Sequence, residues 1–544
     1  MSGFSYPIIG ITKFFKQKPF LLVLLPAVVL HLVLSCLSVE YLISELFIVD
    51  DAFYSMKIAR NIAAGLGTTF DGIHPTNGFQ PLWVWLLVPV YWVEPDNLYG
   101  PVKTSVIILS VFNLAAGYLL YRFVLSLTKL HAAALVSAAV WLINPYFVKR
   151  VINGLESPIA ILFLLAVLFM WVVSMDFGRT RQVNLKWTIF GILIGLAMLS
   201  RVDLIFLVGT CFIVGLVLQR IPLEYLRGWL IAGVVAGIVL IPWLVFSFDG
   251  FGTPIPTSGD AVRNWISFRS GGDGSEILFF SEEAVSRSIL SVTMLTSIWA
   301  QTGLSLSLGA ILLLVIFALL IVFFASVRPF RSAVLALYKD NPGLHLIAFI
   351  FSLIIFLFYT FYLPAHWYFE RYFLAIYIIY SLYIGLSYRL FWLQLAKFTG
   401  KKLNRRIMLL TTIPLLLFAV YIPAWMPGHE EDGFYRAGIW INENLPQDAI
   451  IGSYLAGTVG YFSERKLIDL DGKVNRNAAE ALIEAKIGKY IRENGINFVS
   501  DWPSYITALE SRGGLKIDQD LEPPIYKDSS HHDYSIYQLK IIDK

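Results

Sequence analysis

The chain has 544 residues, of which 57% are hydrophobic and 15% charged, with a mean hydropathy of +0.68 and a formal charge of +4. Soluble domains average about 45–50% apolar and ~25% charged residues. This composition therefore excludes a soluble enzyme, a disordered chain and a nucleic-acid binder, and it defines a polytopic membrane protein. Cys36 and Cys211 lie in separate apolar runs and supply neither a disulfide framework nor a cysteine metal site.

Charge density divides the chain in two. More than a quarter of residues 429–544 are Asp, Glu, Lys or Arg, against about a ninth of residues 1–428. The first part is read as a membrane-embedded domain and the second as a soluble one. Apolar spans are expected at about 19–39, 102–127, 132–147, 157–175, 187–200, 203–219, 228–247, 305–327, 344–363, 371–392 and 407–424, most of them near the ~20 residues that cross a bilayer as helix. The fifth and sixth are short. They are read as two helices joined by a tight polar turn, Ser200-Arg201-Val202-Asp203; the alternative is one bent helix.

Charge placement favours the eleven-span arrangement with a cytoplasmic N-terminus. It collects seventeen basic residues on the inner side, among them Lys13, Lys16, Lys18 and Lys397 to Arg406, and leaves Lys149, Arg150, Arg201 and Arg371 in the short outer loops. The first outer loop (40–100), residues 148–156, 248–304 and 364–370, and the C-terminal domain then share the extracytoplasmic face of a cell membrane. The first span is too long for a signal peptide and lacks an A-x-A cleavage site.

The outer segments carry the chemistry. Residues 50–64 place apolar side chains at 53, 56, 58, 59, 62 and 63, one side of a helix lying in the interface, with Asp50 and Asp51 at its start and Gly65 as its stop. A loop dense in turn residues follows, Thr68 to Pro81, containing His74 and Asn77. Leu82–Trp92 is apolar and aromatic but too short to span. The adjacent carboxylates have two readings. Either they cap the helix and meet its dipole, or one of them is a general base or metal ligand facing a cavity at the membrane surface. The long punctuated loop behind them favours the second.

Asp50-Asp51-Ala-Phe-Tyr, Ala59-Arg60-Asn61, Gly65-x-Gly67 and Asn77-Gly78-Phe-x-Pro-Leu-Trp83 resemble the first outer loop of the GT-C membrane glycosyltransferases. More narrowly they resemble the bacterial terminal arabinofuranosyltransferase group and the lipid A and protein O-mannosyltransferase group. Asn153-Gly154-Leu155-Glu156, Leu199-Ser200-Arg201-Val202-Asp203, Pro254-x-Pro256-Thr257-Ser258-Gly259 and Leu470-Asp471-Gly472-Lys473-Val474-Asn475 match further family elements in order, with Val202 where proline is usual and Lys473 where an apolar residue is usual.

The resemblance implies a polytopic α-helical GT-C domain over 1–428 and an extracytoplasmic α/β domain over 429–544. It implies an inverting transfer of a sugar from a polyprenyl-phosphate donor to a hydroxyl on a glycan, lipid or protein. There is no P-loop or Rossmann fingerprint, as expected where no nucleotide is used. It places the base at Asp50, with Asp51 second. A divalent ion on Asp50 or Asp51 is the one cofactor in view, since some GT-C members use one and others do not.

Phosphate and substrate contacts fall to Lys149, Arg150, Glu156, Arg201, Arg263, His366 and Arg371, with Arg60, His74 and Asn77 shaping the loop. Plainer readings stand beside these: headgroup anchoring for Lys149 and Arg150, a helix-end pair for Glu370 and Arg371, and a turn-holding pair for Arg201 and Asp203. Isolated histidines such as His74 and His366 do not make a zinc site, and His531-His532 reads as a solvated loop.

The tail alternates helix-like 434–444, 478–493 and 503–511 with strand-like 449–454, 466–470, 496–500, 515–518 and 534–541, an open α/β layer. Asp469, Asp471 and Asn475 either face the site or serve the turn at a strand end. A transporter or lipid-linked-sugar flippase is the competing class. Internal repeats and charges buried mid-span would mark it, and neither is present. A non-catalytic assembly subunit is the third reading, against which the acid pair stands.

Overall fold

A computed structural model describes residues 18–174, 183–219, 223–269, 278–294, 305–399, 433–511, 515, 520–529 and 533–540. The expected span 407–424, the basic residues 401–406 and His531-His532 lie outside them, as do Lys13 and Lys16.

Among the described residues, four helices are long and apolar enough to cross a membrane: Gly100–Thr128, Tyr225–Phe251, Pro342–Tyr362 and Leu374–Gln394. A bent pair, His131–Ile143 with Pro145–Val151, makes a fifth, and shorter apolar helices include Leu21–Cys36, Ser157–Val172 and Leu306–Leu319. The chain is a helical membrane protein. The expected 132–147 span is instead broken by 58°. Pro145 has no N–H for a continuing helix and drives Asn144 into extended backbone, whose side chain then caps Tyr146 N at 2.9 Å.

The segment around Arg201 is a hairpin, not one bent helix. Val183–Ser200 leads into a 3-10 turn, Val202–Leu204, and Ile205–Gln219 returns. Tyr225, at the start of the next helix, meets the Trp187 ring at 5.9 Å and donates to Cys211 O at 3.3 Å. Tyr225 thus touches both the start of the first helix and the middle of the second. The next site-forming helix, Pro342–Leu357, ends in a wider π-turn, Phe358–Tyr362. Such turns re-aim side chains, and this one aims Tyr359 and Tyr362 at Asp203 and Arg263.

The C-terminal domain is a five-stranded sheet in the order β2-β1-β3-β5-β4, with β1 Ile450–Ser453, β2 Lys466–Asp469, β3 Phe498–Asp501, β4 Tyr526–Asp528 and β5 Tyr534–Gln538. β1 pairs parallel with β2 and β3, while β5 runs antiparallel to β3 and β4. The expected helix 478–493 is two helices, Arg476–Ile483 and Ile487–Glu493, broken where Ala485 turns left-handed at φ +53. Helix Gly457–Phe462 and strand β4 were not expected. Of the expected strand 515–518, residues 516–518 lie outside the described residues.

This domain is not a pendant. Helix Asp50–Ala63 packs directly on helix Gly457–Phe462, where Phe53 meets Tyr461 and Phe462, each ring pair at 5.3 Å. Tyr54, Tyr91 and Phe70 belong to one buried core with Val459, Tyr461 and Phe462. Burial of this apolar surface makes the first loop and the tail one structural unit.

Candidate active site

Helix Asp50–Ala63 begins after Val49, whose backbone is extended and whose side chain caps nothing. Asp50 and Asp51 stand inside the first turn, so neither is an N-cap. The capping reading fails, and only the favourable dipole contact of two carboxylates at a helix start remains. Gly65 closes the helix with φ +78, as its stop requires.

The two carboxylates have opposite surroundings. Asp50 Oδ1 accepts from Thr458 N at 2.7 Å, and Oδ2 is buried with no hydrogen-bond partner among the described residues. Burial holds its pKa above the usual carboxylate range, against the Thr458 hydrogen bond. Asp51 is saturated: Arg371 Nη1 lies 2.9 Å from Oδ2, while Tyr368 OH donates to Oδ1 at 3.2 Å and Lys473 Nζ lies 3.5 Å from it. Burial pushes the Asp51 pKa up, but Lys473 and Arg371 outweigh it and hold the carboxyl below its ordinary value.

Lys473 comes from the tail. Its turn is built by Asp469, which accepts from Val474 N at 2.9 Å, and by Asp471, which accepts from Lys473 N at 2.8 Å around Gly472 at φ +86. Asp471 Oδ2 also pairs with Lys473 Nζ at 2.9 Å. The turn chemistry and the approach to the acid pair are therefore one arrangement.

A second charged knot adjoins the first through Tyr372, which stacks on Tyr359 at 4.1 Å and lies 5.3 Å from the Arg371 guanidinium and 5.9 Å from that of Arg201. Arg201 donates to Glu156 Oε1 at 3.0 Å, to Asp203 Oδ2 at 2.9 Å and to Tyr359 OH at 3.1 Å. Tyr359 OH in turn donates to Asp203 Oδ2 at 2.6 Å. Arg201 thus holds the hairpin turn and the 153–156 loop together, extending the turn-holding reading to Glu156.

Glu370 and Arg371 are not a pair. Arg150 Nε donates to Glu370 Oε2 at 2.6 Å with its guanidinium 3.5 Å over the Tyr146 ring, while Arg371 turns to Asp51. Lys149 lies over Phe47 at 5.7 Å, and Arg263 lies 4.3 Å over Tyr362 and donates to its hydroxyl at 3.3 Å. His366 packs edge-on against Trp367 at 4.9 Å.

The loop residues lie apart from the acid pair. Arg60 pairs with Glu464 at 3.0 Å, and His74 Nδ1 meets Asp71 Oδ2 at 2.6 Å. Buried Asn77 donates to Ser247 Oγ at 2.8 Å and accepts from Thr257 Oγ1 at 2.9 Å, clamping the first loop to the 253–257 segment. Lys473, Thr458 and Tyr368 were absent from the expected site. The signals in the sequence were the 469–475 turn, already read as able to face the site, and Lys473 itself, a cation in an otherwise apolar family position.

The donor set does not fit a divalent cation. Oxygen-ligated ions need several unpaired carboxylate or carbonyl oxygens converging at ~2.0–2.6 Å. Among the described residues Asp51 already faces two fixed cations, Asp471 faces one of them, and Asp50 contributes a single unpaired, buried oxygen.

Two glycines set the docking of the tail. A Cβ on Gly457 would run into the Asp50 carbonyl oxygen, and one on Gly78 into the Lys473 carbonyl oxygen. Gly457→Ala should therefore push the tail off Asp50, costing about 1–3 kcal/mol and weakening the Thr458 hydrogen bond. Thermal unfolding of the purified variant, read beside its turnover, checks this; unchanged values for both would refute the close docking.

A family model described as a domain of unknown function, DUF8728, matches residues 426–537. No curated protein matches the sequence. Solved structures do. ArnT from Cupriavidus metallidurans in the apo state superposes with a TM-score of 0.59 at 12% identity, covering 96% of this chain and 98% of that one. The same protein bound to undecaprenyl phosphate gives 0.53 at 14% identity, over 94% and 97%. The archaeal oligosaccharyltransferase AglB from Archaeoglobus fulgidus, in complex with an inhibitory peptide and a dolichol-phosphate, gives 0.56 at 14% identity, over 97% and 75%. The chain shares the fold of ArnT and of the oligosaccharyltransferase AglB, as expected from the sequence elements.

Proposed function

We propose that the protein is a GT-C glycosyltransferase of the cell membrane that moves a sugar from a polyprenyl-phosphate donor to a hydroxyl of a glycan, lipid or protein at the extracytoplasmic face, where the tail also lies. The observation that carries this reading is the asymmetry of the acid pair. Asp50 offers a buried, unpartnered oxygen, and Asp51 is locked between Arg371 and Lys473.

Asp50 Oδ2 takes the proton of the acceptor hydroxyl, and a raised pKa suits a base working near neutrality. The acceptor oxygen bonds to the anomeric carbon as the bond to the lipid phosphate breaks, with inversion. The departing phosphate carries the negative charge, and its stabilisation is assigned to Arg371, Lys149 and Arg263. Arg201 with Glu156, and Arg150 with Glu370, hold the surrounding loops in register, which is how positioning groups contribute to rate. His366 packs on Trp367, whose ring meets that of Tyr368 at 5.8 Å, and His366 is assigned to substrate contact on that placement. The superposition on a structure bound to undecaprenyl phosphate supports a lipid-phosphate donor.

Membranes containing the protein should transfer label from a polyprenyl-phosphate sugar and not from a nucleotide sugar alone. Efficient transfer from the nucleotide sugar with no lipid carrier present would refute the donor assignment.

A further inference from the structure

Lys473 is delivered by a turn of the C-terminal domain, 422 positions from the carboxylate that it faces. Its ammonium is bracketed by Asp51 Oδ1 at 3.5 Å and Asp471 Oδ2 at 2.9 Å and lies over the rings of Tyr54 and Tyr368, at 5.5 and 6.0 Å. Its side chain is only 14% exposed. With Arg371 on the other oxygen of Asp51, two carboxylates meet two fixed cations and the charge cancels. A buried ammonium held this way is strongly favoured in its charged form, because Asp471 and Asp51 outweigh the cost of burial.

We propose that Lys473 is a positioning residue that stands where a divalent cation would otherwise bridge the acids of this site, so that the C-terminal domain supplies the fixed positive charge and the acid pair works without a metal ion. Its place in turnover rests on the glycosyltransferase reading; the replacement of a cation by the ammonium does not. The ammonium keeps Asp51 ionised and turned toward Arg371 and Tyr368. Asp50 is then the one member of the pair with an oxygen unpaired among the described residues. The tail becomes part of the site rather than an appended binding module, and its docking through Gly457 and Gly78 sets where the ammonium stands.

The test uses the full-length protein in nanodiscs with Mn²⁺ alone as probe, read by loss of the free-ion electron paramagnetic resonance signal. The wild type should bind no stoichiometric Mn²⁺ at about 0.1 mM, a concentration well above the dissociation constant of most built oxygen-ligand sites. Lys473→Ser removes the charge and opens space between Asp51 and Asp471, so Mn²⁺ binding should appear, and adding Asp51→Asn should remove it again.

In transfer assays EDTA should leave the wild type unaffected. Lys473→Ser should lose about 10–100-fold, the range typical of lost outer-shell partners, with part of the loss restored by Mn²⁺. Lys473→Arg should recover most of the activity. One equivalent of Mn²⁺ bound to the wild type and lost in Asp51→Asn would overturn the proposal, as would a folded Lys473→Ser that binds no Mn²⁺. If Lys473→Ser does not fold, the wild-type titration and Lys473→Arg still decide. Absence of any sugar transfer by the wild type would refute the functional reading alone, since the Mn²⁺ titration is independent of it.

Discussion

Asp50→Asn is expected to lower turnover by about 10²–10⁴-fold, the usual contribution of a positioned general base. Asparagine keeps the shape, and its carbonyl can still accept from Thr458 N, but it cannot take a proton at neutral pH. Among the described residues Oδ2 has no hydrogen-bond partner to lose, so folding should change little. Purified variants with matched thermal stability, assayed at saturating donor, separate this from a purely structural role, in which turnover would stay near normal.

The pH dependence carries a second signature. Burial raises the Asp50 pKa above its unfolded value, so activity should rise with pH as the group ionises, and that limb should vanish in Asp50→Asn. For stability the sign is opposite. Between the two pKa values the folded state holds the proton and the unfolded state has lost it, so stability should fall as pH rises through that window. Asp51, held low by Lys473 and Arg371, contributes stability above its unfolded pKa that is lost as pH falls through its folded value. Asp51→Asn should also reduce turnover, by less than Asp50→Asn.

Arg201→Met should be the most damaging change to the fold. It strands Glu156 and Asp203, whose side chains are only 7% and 10% exposed, leaving Asp203 with Tyr359 and Glu156 with the electrostatic pull of Arg371 among the described residues. Breaking a buried ion pair by removing one member costs about 3–5 kcal/mol, because the partner's charge stays buried without compensation. The loss should appear as a large drop in the thermal midpoint in detergent. Neutralising the stranded acids in the same background, with Glu156→Gln and Asp203→Asn, should return part of it. If Arg201 instead served the donor phosphate directly, the midpoint would hold and KM for the donor would rise.

By itself the sequence determined the membrane class, the charge-rich tail from about residue 429, and the acid pair at the start of an amphipathic helix that stops at Gly65. It also determined the tight turn at Arg201. These are local properties: runs of apolar residues, a 3.6-residue period, glycine and proline at breaks. Each is written within some twenty consecutive positions. Even so, Pro145 bent a span that had read as continuous, because apolar length alone says nothing of where a missing N–H falls.

Tertiary structure alone decided which charge meets which. Neighbours Glu370 and Arg371 turn to Arg150 and Asp51, and Arg201 reaches Glu156 as well as Asp203. Neighbours Asp50 and Asp51 part in the same way, one to Thr458 and one to Lys473, each more than four hundred positions away. Adjacent side chains on a helix point about 100° apart, so sequence neighbours face different walls of a site. The charge on those walls depends on which distant segments the core brings against them, and that packing sets which of two adjacent carboxylates keeps an unpaired oxygen.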